Sequence, residues 1–537
     1  MKKITVFLLT FFLSISTQSD ELLYESSDGV EILDVNNFNT KVENSQTAWL
    51  VKFYLGWCGT CQKLSSEWKK FRNEIIQWTD LVNVGAISCS DPVNTPICVD
   101  HNISAYPTVK YFPENYTSLN LGSVILKGEH LDVKSIKERV IERIRTEIIE
   151  GRGQMYPNLS PYKHSNLENL FEGLSESVKY VFLVVESPDQ CLGAETALNL
   201  HKTPNISIKY SLSTNTELMK NLQITKFPTV VVLDRYKNVS KRFTENTKDV
   251  IESFLVHNGL EIKILETNPR KSSKVAPTQS LLSQIIRKMG DVIFQVDFEA
   301  ALRYSLKQEI SVVKVITNER LEALKAYLTV IEKYFPFGYK NSSLVTNLIK
   351  VTSNREKVQG VEILQLVEKA EKNHSFSSSQ TYLGCQGSVK GKRRYPCSLW
   401  QLFHYLTVNS EDPREVLNAM HGYIKYFFSC GGCSKHFQQM AIERNLQGVS
   451  SFEEGLLWLW EAHNVVNERL KGDITEDPVF RKEQFPARLQ CPECYEEDGS
   501  WRRRKVFEYL KKMYGKYNVR YIGSDTRVLF PGLDKMF

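Results

Sequence analysis

The sequence predicts a multidomain chain: two α/β units in series, then an all-α helix-rich region and an all-α helical bundle. Three observations predict it. At 537 residues the chain is too long for one hydrophobic core, so three or four domains are expected. An apolar strand, a Cys-x-x-Cys pair, an amphipathic helix and a Pro-Thr strand follow one another near the N-terminus, and a weaker copy of that order comes next. Beyond residue 380 the pattern is helical and aromatic-rich, with a second pair, Cys430-Gly431-Gly432-Cys433, among Trp, His and Asn at helical spacing.

The N-terminus reads as a secretory signal over 1–19. Lys2 and Lys3 precede an apolar run from Ile4 to Ile15, then small and polar residues to Ser19. That run is short for a bilayer span, and no later stretch is long and apolar enough for one. Sequons at Asn102, Asn115, Asn158, Asn205, Asn238, Asn341 and Asn373 fit a secretory route with N-glycans. The formal charge of +6 is small for this length and gives no argument for nucleic acid. The basic runs Lys392-Arg393-Arg394 and Arg502-Arg503-Arg504-Lys505 read as solvated surface.

The first unit covers 20–150. Ala48 to Tyr54 is its apolar strand, Leu64, Trp68, Phe71 and Ile75 recur at helical spacing, and Ala105-Tyr106-Pro107-Thr108-Val109 opens another strand. Strand, Cys58-Gly59-Thr60-Cys61, helix and Pro-Thr strand is the order of a thioredoxin-like domain. The second unit, 151–268, repeats it with Tyr180 to Val185, a helical pattern through Ala194 to Leu200, and Lys226-Phe227-Pro228-Thr229-Val230. It lacks the cysteine pair, and only Cys191 lies near the corresponding place. A polar stretch from Asn268 to Ser280 reads as a linker. The helix-rich region, 269–378, carries no chemical motif; Leu321, Leu324 and Leu328 have core spacing. The last unit is 379–537.

Cysteine at a strand-to-helix turn has its thiolate favoured by the helix N-terminus. Cys58 is therefore expected to be the exposed, attacking sulfur and Cys61 the buried, resolving one. Pro107 is expected as a cis-proline opposite the pair. In the C-terminal half, Trp460, His463, Asn464 and Asn467 share one helix face, Trp400 and His404 another, and Cys433 and His436 a third. A wall of Trp, His and Asn is costly to bury without a polar partner. A flat heteroaromatic cofactor beside a dithiol satisfies it. Zinc held by Cys430, Cys433, Cys491 and Cys494 is the rival reading, disfavoured by the wide gap between the pairs, and no metal is expected. A disulfide isomerase or thiol-binding chaperone is the competing function; it would be colourless and consume no oxygen.

With these residues assembled, the chain resembles the quiescin-type sulfhydryl oxidases, in which thioredoxin domains are fused to an Erv-type FAD domain. The resemblance covers nearly all of the mature chain. It rests most heavily on Tyr395-Pro396-Cys397-Ser398-Leu399-Trp400-Gln401-Leu402-Phe403-His404 and on Leu457 through Asn467. It implies bound FAD, reduced protein thiols as substrates, O2 as acceptor, and work in the Golgi or ER lumen or outside the cell. Arg393, Trp400, His404, His436, Trp460, His463, Asn464, Val466, Asn467, Lys482 and Phe485 match its flavin-binding positions, with Phe485 where Trp is common. Cys433 is implied to lie next to the flavin and Cys430 to be the interchange sulfur. Disulfides Cys89–Cys98, Cys385–Cys397 and Cys491–Cys494 are implied, leaving Cys191 free. Thr60 stands where His is common, which implies a less oxidising first dithiol.

Overall fold

The computed structural model describes residues 22–244, 247–260, 291–337, 342–373, 376, 382–389 and 391–521. The signal segment, the Asn268–Ser280 linker and Asn341 lie outside the described residues.

The first sheet contains β1 (Glu31–Leu33), β2 (Ala48–Tyr54), β3 (Val82–Ser88), β4 (Thr108–Phe112) and β5 (Ser123–Lys127), in the spatial order β1-β3-β2-β4-β5. Strands β1, β3 and β2 run parallel, while β4 and β5 are antiparallel additions. All seven residues of β2 are buried, as its continuous apolar run requires of a central strand covered on both faces. It is flanked by α1 (Phe38–Val42), α2 (Gly59–Glu74), α3 (Thr95–Asp100) and α4 (Val133–Ile149). Helix α2 starts directly beyond the end of β2 and buries Leu64, Trp68 and Phe71 along one face. The sulfurs of Cys89 and Cys98 are bonded, and the Tyr106–Pro107 peptide is cis.

The second sheet contains β6 (Tyr180–Glu186), β7 (Ile206–Leu212), β8 (Thr229–Asp234) and β9 (Val239–Phe243), in the order β7-β6-β8-β9. Its helices are α5 (Leu192–Leu200), α6 (Thr216–Leu222) and α7 (Thr247–His257). Cys191 is the residue before α5, the place Cys58 holds before α2. It carries no disulfide, and burial pushes its thiol up to about 11. The two α/β units are tied through α5, where Glu195 pairs with Lys137 of α4 at 2.7 Å and Asn199 accepts from Trp78 Nε1, in the turn after α2, at 2.8 Å.

The remaining described chain is mostly helical: α8 (Gln295–Tyr304), α9 (Asn318–Tyr334), α10 (Ser342–Thr352), α11 (Gly360–Lys372), α12 (Arg394–Asn409), α13 (Pro413–Tyr426), α14 (Gly431–Glu443), α15 (Phe452–Leu470) and α16 (Arg503–Met513). A π-helical turn, Ser305–Ile310, extends α8. Two short strand pairs interrupt the helices, Ile293–Phe294 with Val519–Arg520 and Val315–Thr317 with Lys357–Gln359. The first pair joins the start of the helix-rich region to the end of the bundle. Asp297 adds to it, accepting from the backbone N–H of Leu383 at 2.7 Å and of Cys385 at 3.2 Å. Cys385 is bonded to Cys397, and Cys491 to Cys494. The sequence separates these helices into two regions, whereas here they share one core, with Tyr327 of α9 stacked on Tyr423 of α13 at 4.7 Å. Among the described residues no helix is long and apolar enough to cross a membrane. Of the sequons, Asn102, Asn115, Asn158, Asn238 and Asn373 are exposed and Asn205 is half-buried.

Phe53, in the middle of β2, is fully buried. Phe53→Ala is expected to cost about 3–5 kcal/mol of stability. Denaturant unfolding of the full chain, followed by the fluorescence of buried Trp68 and Trp78, measures it; a loss below about 1 kcal/mol would refute this placement of the strand.

Candidate functional site

Cys58 is the N-cap of α2 and Cys430 the N-cap of α14. The two helices approach each other at their N-termini, which brings the first cysteine of each pair together. The Sγ atoms of Cys58 and Cys430 are 2.6 Å apart. Cys430 is bonded to Cys433, while Cys58 and Cys61 are free thiols. Among the described residues, Cys58, Cys430 and Cys433 are the one set of potential metal-ligating side chains whose atoms cluster. Cys491 and Cys494 are not part of it, so the four-cysteine zinc arrangement is not assembled.

The backbone sets this register. Tyr106, just before the cis-proline, donates its N–H to the Ser429 carbonyl at 2.9 Å and accepts from Gly431 N–H at 3.4 Å. The loop before α14 is thus held as a one-residue parallel bridge against the first sheet. Around it, Trp57 Nε1 donates to the Tyr304 hydroxyl at 2.6 Å and the indole packs on Tyr395 and Phe428. Lys392 Nζ donates to Gln62 Oε1 at 2.6 Å, and Lys63 pairs with Asp473 at 2.7 Å. Small residues permit the approach. A Cβ on Gly431 would lie 3.2 Å from the Gly128 backbone, and one on Gly432 would lie 2.5 Å from Thr60 Oγ1.

Two expectations need correction. Cys58 is not exposed: it is fully buried, because the loop and helix carrying Cys430 cover it. Burial, and then the neighbouring Cys61, push the Cys58 thiol well up rather than down. Burial also pushes at Cys61, but the hydrogen bond with Cys58 and the Lys52 charge outweigh it, so Cys61 is the sulfur held low. The run Lys392-Arg393-Arg394 is not plain solvated surface: Lys392 bridges to the first domain and Arg393 enters the cavity described below. By contrast Arg502, Arg503, Arg504 and Lys505 lie exposed and pair with surface glutamates.

Lys52 was not among the expected site residues. Its Nζ lies under the dithiol, donating to the Cys61 carbonyl at 3.0 Å and to the Tyr24 hydroxyl at 2.7 Å. Burial lowers its pKa to about 7, against the opposing pull of the two thiols. The sequence signal was there, a lone lysine inside the apolar run of β2.

Cys433 is half-buried and opens on a cavity of about 1210 Å³. That exceeds the ~300–1,000 Å³ of common ligand pockets. Arg393, Trp400, His436, His463, Val466, Asn467, Lys482 and Phe485 all line it. Trp400 and His463 lie parallel with ring centres 4.4 Å apart. His404, Trp460 and Asn464 are buried behind this wall. His404 Nε2 meets His463 Nδ1 at 3.1 Å, and burial takes the His404 pKa down to about 3. Asn464 accepts from Phe485 N–H and donates to Phe485 O, both at 2.8 Å, and Trp460 Nε1 donates to the same carbonyl. These three residues therefore orient the wall rather than form it.

The donor set suits a flavin dinucleotide. Burial and the nearby Arg393 lower the Lys482 pKa, so an anion between these two cations would relieve them both. Parallel ring planes suit a flat heteroaromatic. Gln401 Oε1 lies buried at the cavity wall without a hydrogen-bond partner and offers it a polar contact.

Comparison with known proteins gives the same reading. Residues 29–127 match the Thioredoxin family, 154–254 the QSOX Trx-like domain, 291–388 the flavin adenine dinucleotide (FAD)-dependent sulfhydryl oxidase family and 397–486 the Erv1 / Alr family. Sulfhydryl oxidase 1 of Rattus norvegicus is 30% identical over 523 residues, 93% of this chain and 68% of that protein. Sulfhydryl oxidase 2 of Homo sapiens is 30% identical over 517 residues, 92% of this chain and 73% of that one. A solved sulfhydryl oxidase fragment of human QSOX1 is 35% identical, covering 43% of this chain and 99% of its own, with a TM-score of 0.41.

A side chain at Gly431 would press on the Gly128 backbone, which cannot turn aside. In a chain carrying Cys61→Ser and Cys433→Ser, Gly431→Ala is expected to lower the yield of a Cys58–Cys430 crosslink in a thiol–disulfide buffer about tenfold, ~1.4 kcal/mol of docking. An unchanged yield on non-reducing gels would show that the close approach of the two glycines is not needed.

Proposed function

The chain belongs to the sulfhydryl oxidase family, and from that premise we propose that its reaction runs as a relay from Cys58–Cys61 to Cys430–Cys433. It is a flavin-linked thiol oxidase that makes disulfides and reduces O2 to H2O2. The observation that carries the relay is the 2.6 Å approach of Cys58 and Cys430, one from a reduced pair and the other from an oxidised pair.

In the first step a substrate thiolate attacks the Cys58–Cys61 disulfide. A second substrate thiol attacks the substrate sulfur of that mixed disulfide and displaces Cys58, so substrate leaves as a disulfide while Cys58 and Cys61 stay behind reduced. Cys58 then attacks Cys430, and Cys433 departs as a thiolate. Cys61, held low by the Lys52 charge and its bond with Cys58, attacks Cys58 Sγ and frees Cys430. Two electrons have then moved from the first pair to the second. Cys58 is buried when docked, so substrate must meet the first domain in a second, undocked arrangement. Tethering keeps the two dithiols at high effective concentration between the steps.

FAD, when bound, supplies the two-electron acceptor that hands electrons on to O2. Arg393 and Lys482 would hold its diphosphate, and Trp400, His463 and Phe485 would face its rings. His436, Val466 and Asn467 would complete the contacts, with His404, Trp460 and Asn464 supporting them. Buried His404 and His463 stay neutral, so they can hydrogen-bond without adding charge. Domain limits near 150, 268 and 378 belong to the same proposal. So do reduced protein thiols as substrates, N-glycans at the exposed sequons, and work in the secretory pathway or outside the cell; the N-terminal signal pattern and the paired cysteines support that location.

Cys58→Ser is expected to lower oxygen uptake on a reduced protein substrate at least a hundredfold. A small dithiol able to reach Cys430 directly should still drive some uptake, whereas Cys433→Ser should abolish uptake with both. Equal loss with both substrates in Cys58→Ser would contradict the relay order. Lys482→Met should purify with at least tenfold less FAD per chain by absorbance; full occupancy would remove Lys482 from the binding set.

A further inference from the structure

Glu309 sits in the π-helical turn after α8 and is 1% exposed. One carboxyl oxygen accepts the backbone N–H of Ser429 at 2.8 Å, the residue just before Cys430. The other oxygen, and the Ser429 hydroxyl beside it, make no hydrogen bond of good geometry. No arginine or lysine pairs with Glu309 among the described residues. The titratable groups facing it are Tyr106 from the first domain, Tyr395 of α12 and Tyr423 of α13, whose own protons burial holds on.

This carboxyl therefore lies where three parts of the chain meet. Its own turn belongs to the helix-rich region, and the preceding residue, Gln308, accepts from Thr95 of the first domain at 3.0 Å. Its hydrogen bond fixes Ser429, whose carbonyl takes the Tyr106 N–H and so registers Cys430 on Cys58. A charged carboxylate in this position would be buried without a cation and close to sulfurs that must pass through thiolates.

We propose that Glu309 is the positioning residue that couples proton binding to docking of the first domain's dithiol. The inference rests on the relay reading. In the docked state Glu309 carries a proton, accepts from Ser429 N–H and holds the Cys430 loop in register. Undocking removes Tyr106 from around it and lets water reach the carboxyl, which then ionises as an ordinary glutamic acid. Burial lifts the docked pKa to about 8 from the usual 4.5. The docked state therefore binds one more proton than the undocked state between those values. Its advantage is full below about 4.5 and falls as pH rises towards 8. Docking would be favoured at mildly acidic pH and loosened above neutrality, which would help the first domain release to fetch substrate.

The test uses the full FAD-loaded chain carrying Cys61→Ser and Cys433→Ser. In a glutathione buffer, the Cys58 and Cys430 thiols form one disulfide as oxidised glutathione becomes two reduced glutathiones. The equilibrium yield, quantified by mass spectrometry of the cross-linked peptide, reads docking without reference to activity. With Glu309 the yield constant should fall at least tenfold from pH 6 to pH 8. Glu309→Gln keeps an acceptor for Ser429 N–H and cannot ionise, so its yield should stay high and lose that pH dependence. Glu309→Ala should lie about tenfold below Glu309→Gln at pH 6. Identical pH profiles for Glu309 and Glu309→Gln would overturn the proton coupling, and an Ala variant equal to Gln would overturn the positioning role. No Cys58–Cys430 disulfide in any variant would instead sink the relay on which the inference rests.

Discussion

Two helix N-termini brought together at one group of sulfurs are the constraint on which the rest of this structure depends. Each N-terminus favours negative charge in its first turn, by roughly 0.3–1 kcal/mol in ordinary settings. With Cys58 capping one helix and Cys430 the other, a thiolate passed between them stays within reach of both. Neither end can be reached by bulky neighbours, which is why Gly128, Gly431 and Gly432 line the contact and a threonine faces Gly432. The Tyr106–Ser429 bridge fixes register along the chain direction, and Trp57, Gln62 and Lys63 fix it around the rim.

Burial of this contact has chemical consequences. It removes water from the exchanging sulfurs and raises the Cys58 thiol, while the Lys52 charge keeps Cys61 the better thiolate. A dithiol whose second sulfur is the more acidic is suited to resolving a mixed disulfide rather than lingering in one. The same covering closes Cys58 to substrate, so the proposed relay requires a second arrangement of the first domain. Cys433, the second sulfur of its pair, opens on the large cavity. Thr60 packs here against Gly432, where a Cβ would lie 2.5 Å from its hydroxyl oxygen.

Much of this was legible in the sequence because it is written locally. The β2 run, the cysteine pair and the apolar face of α2 are near neighbours, so periodicity and turn position suffice to place Cys58 at a helix N-terminus. Helical spacing likewise put Trp460, His463, Asn464 and Asn467 on one face. Spacing cannot say which layer a residue occupies, and so Trp460 and Asn464 turn out to grip the Phe485 carbonyl from behind. The burial of Cys58 was not legible at all, since its cover comes from residues hundreds of positions away. Glu309 was invisible for the same reason: nothing in Gln308-Glu309-Ile310 marks a buried acid until the other two parts of the chain close over it. Lys52 is the intermediate case, a charge in an apolar strand whose meaning appears only with the Cys61 carbonyl beside it.

The most direct test of the central claim is to quench the wild-type enzyme in acid during steady turnover and map its disulfides by mass spectrometry. The account predicts a transient peptide pair joined through Cys58 and Cys430, present with reducing substrate and gone when substrate is exhausted. A mixed disulfide through Cys61 and Cys430, or electron flow with Cys58 joined only to substrate, would contradict it.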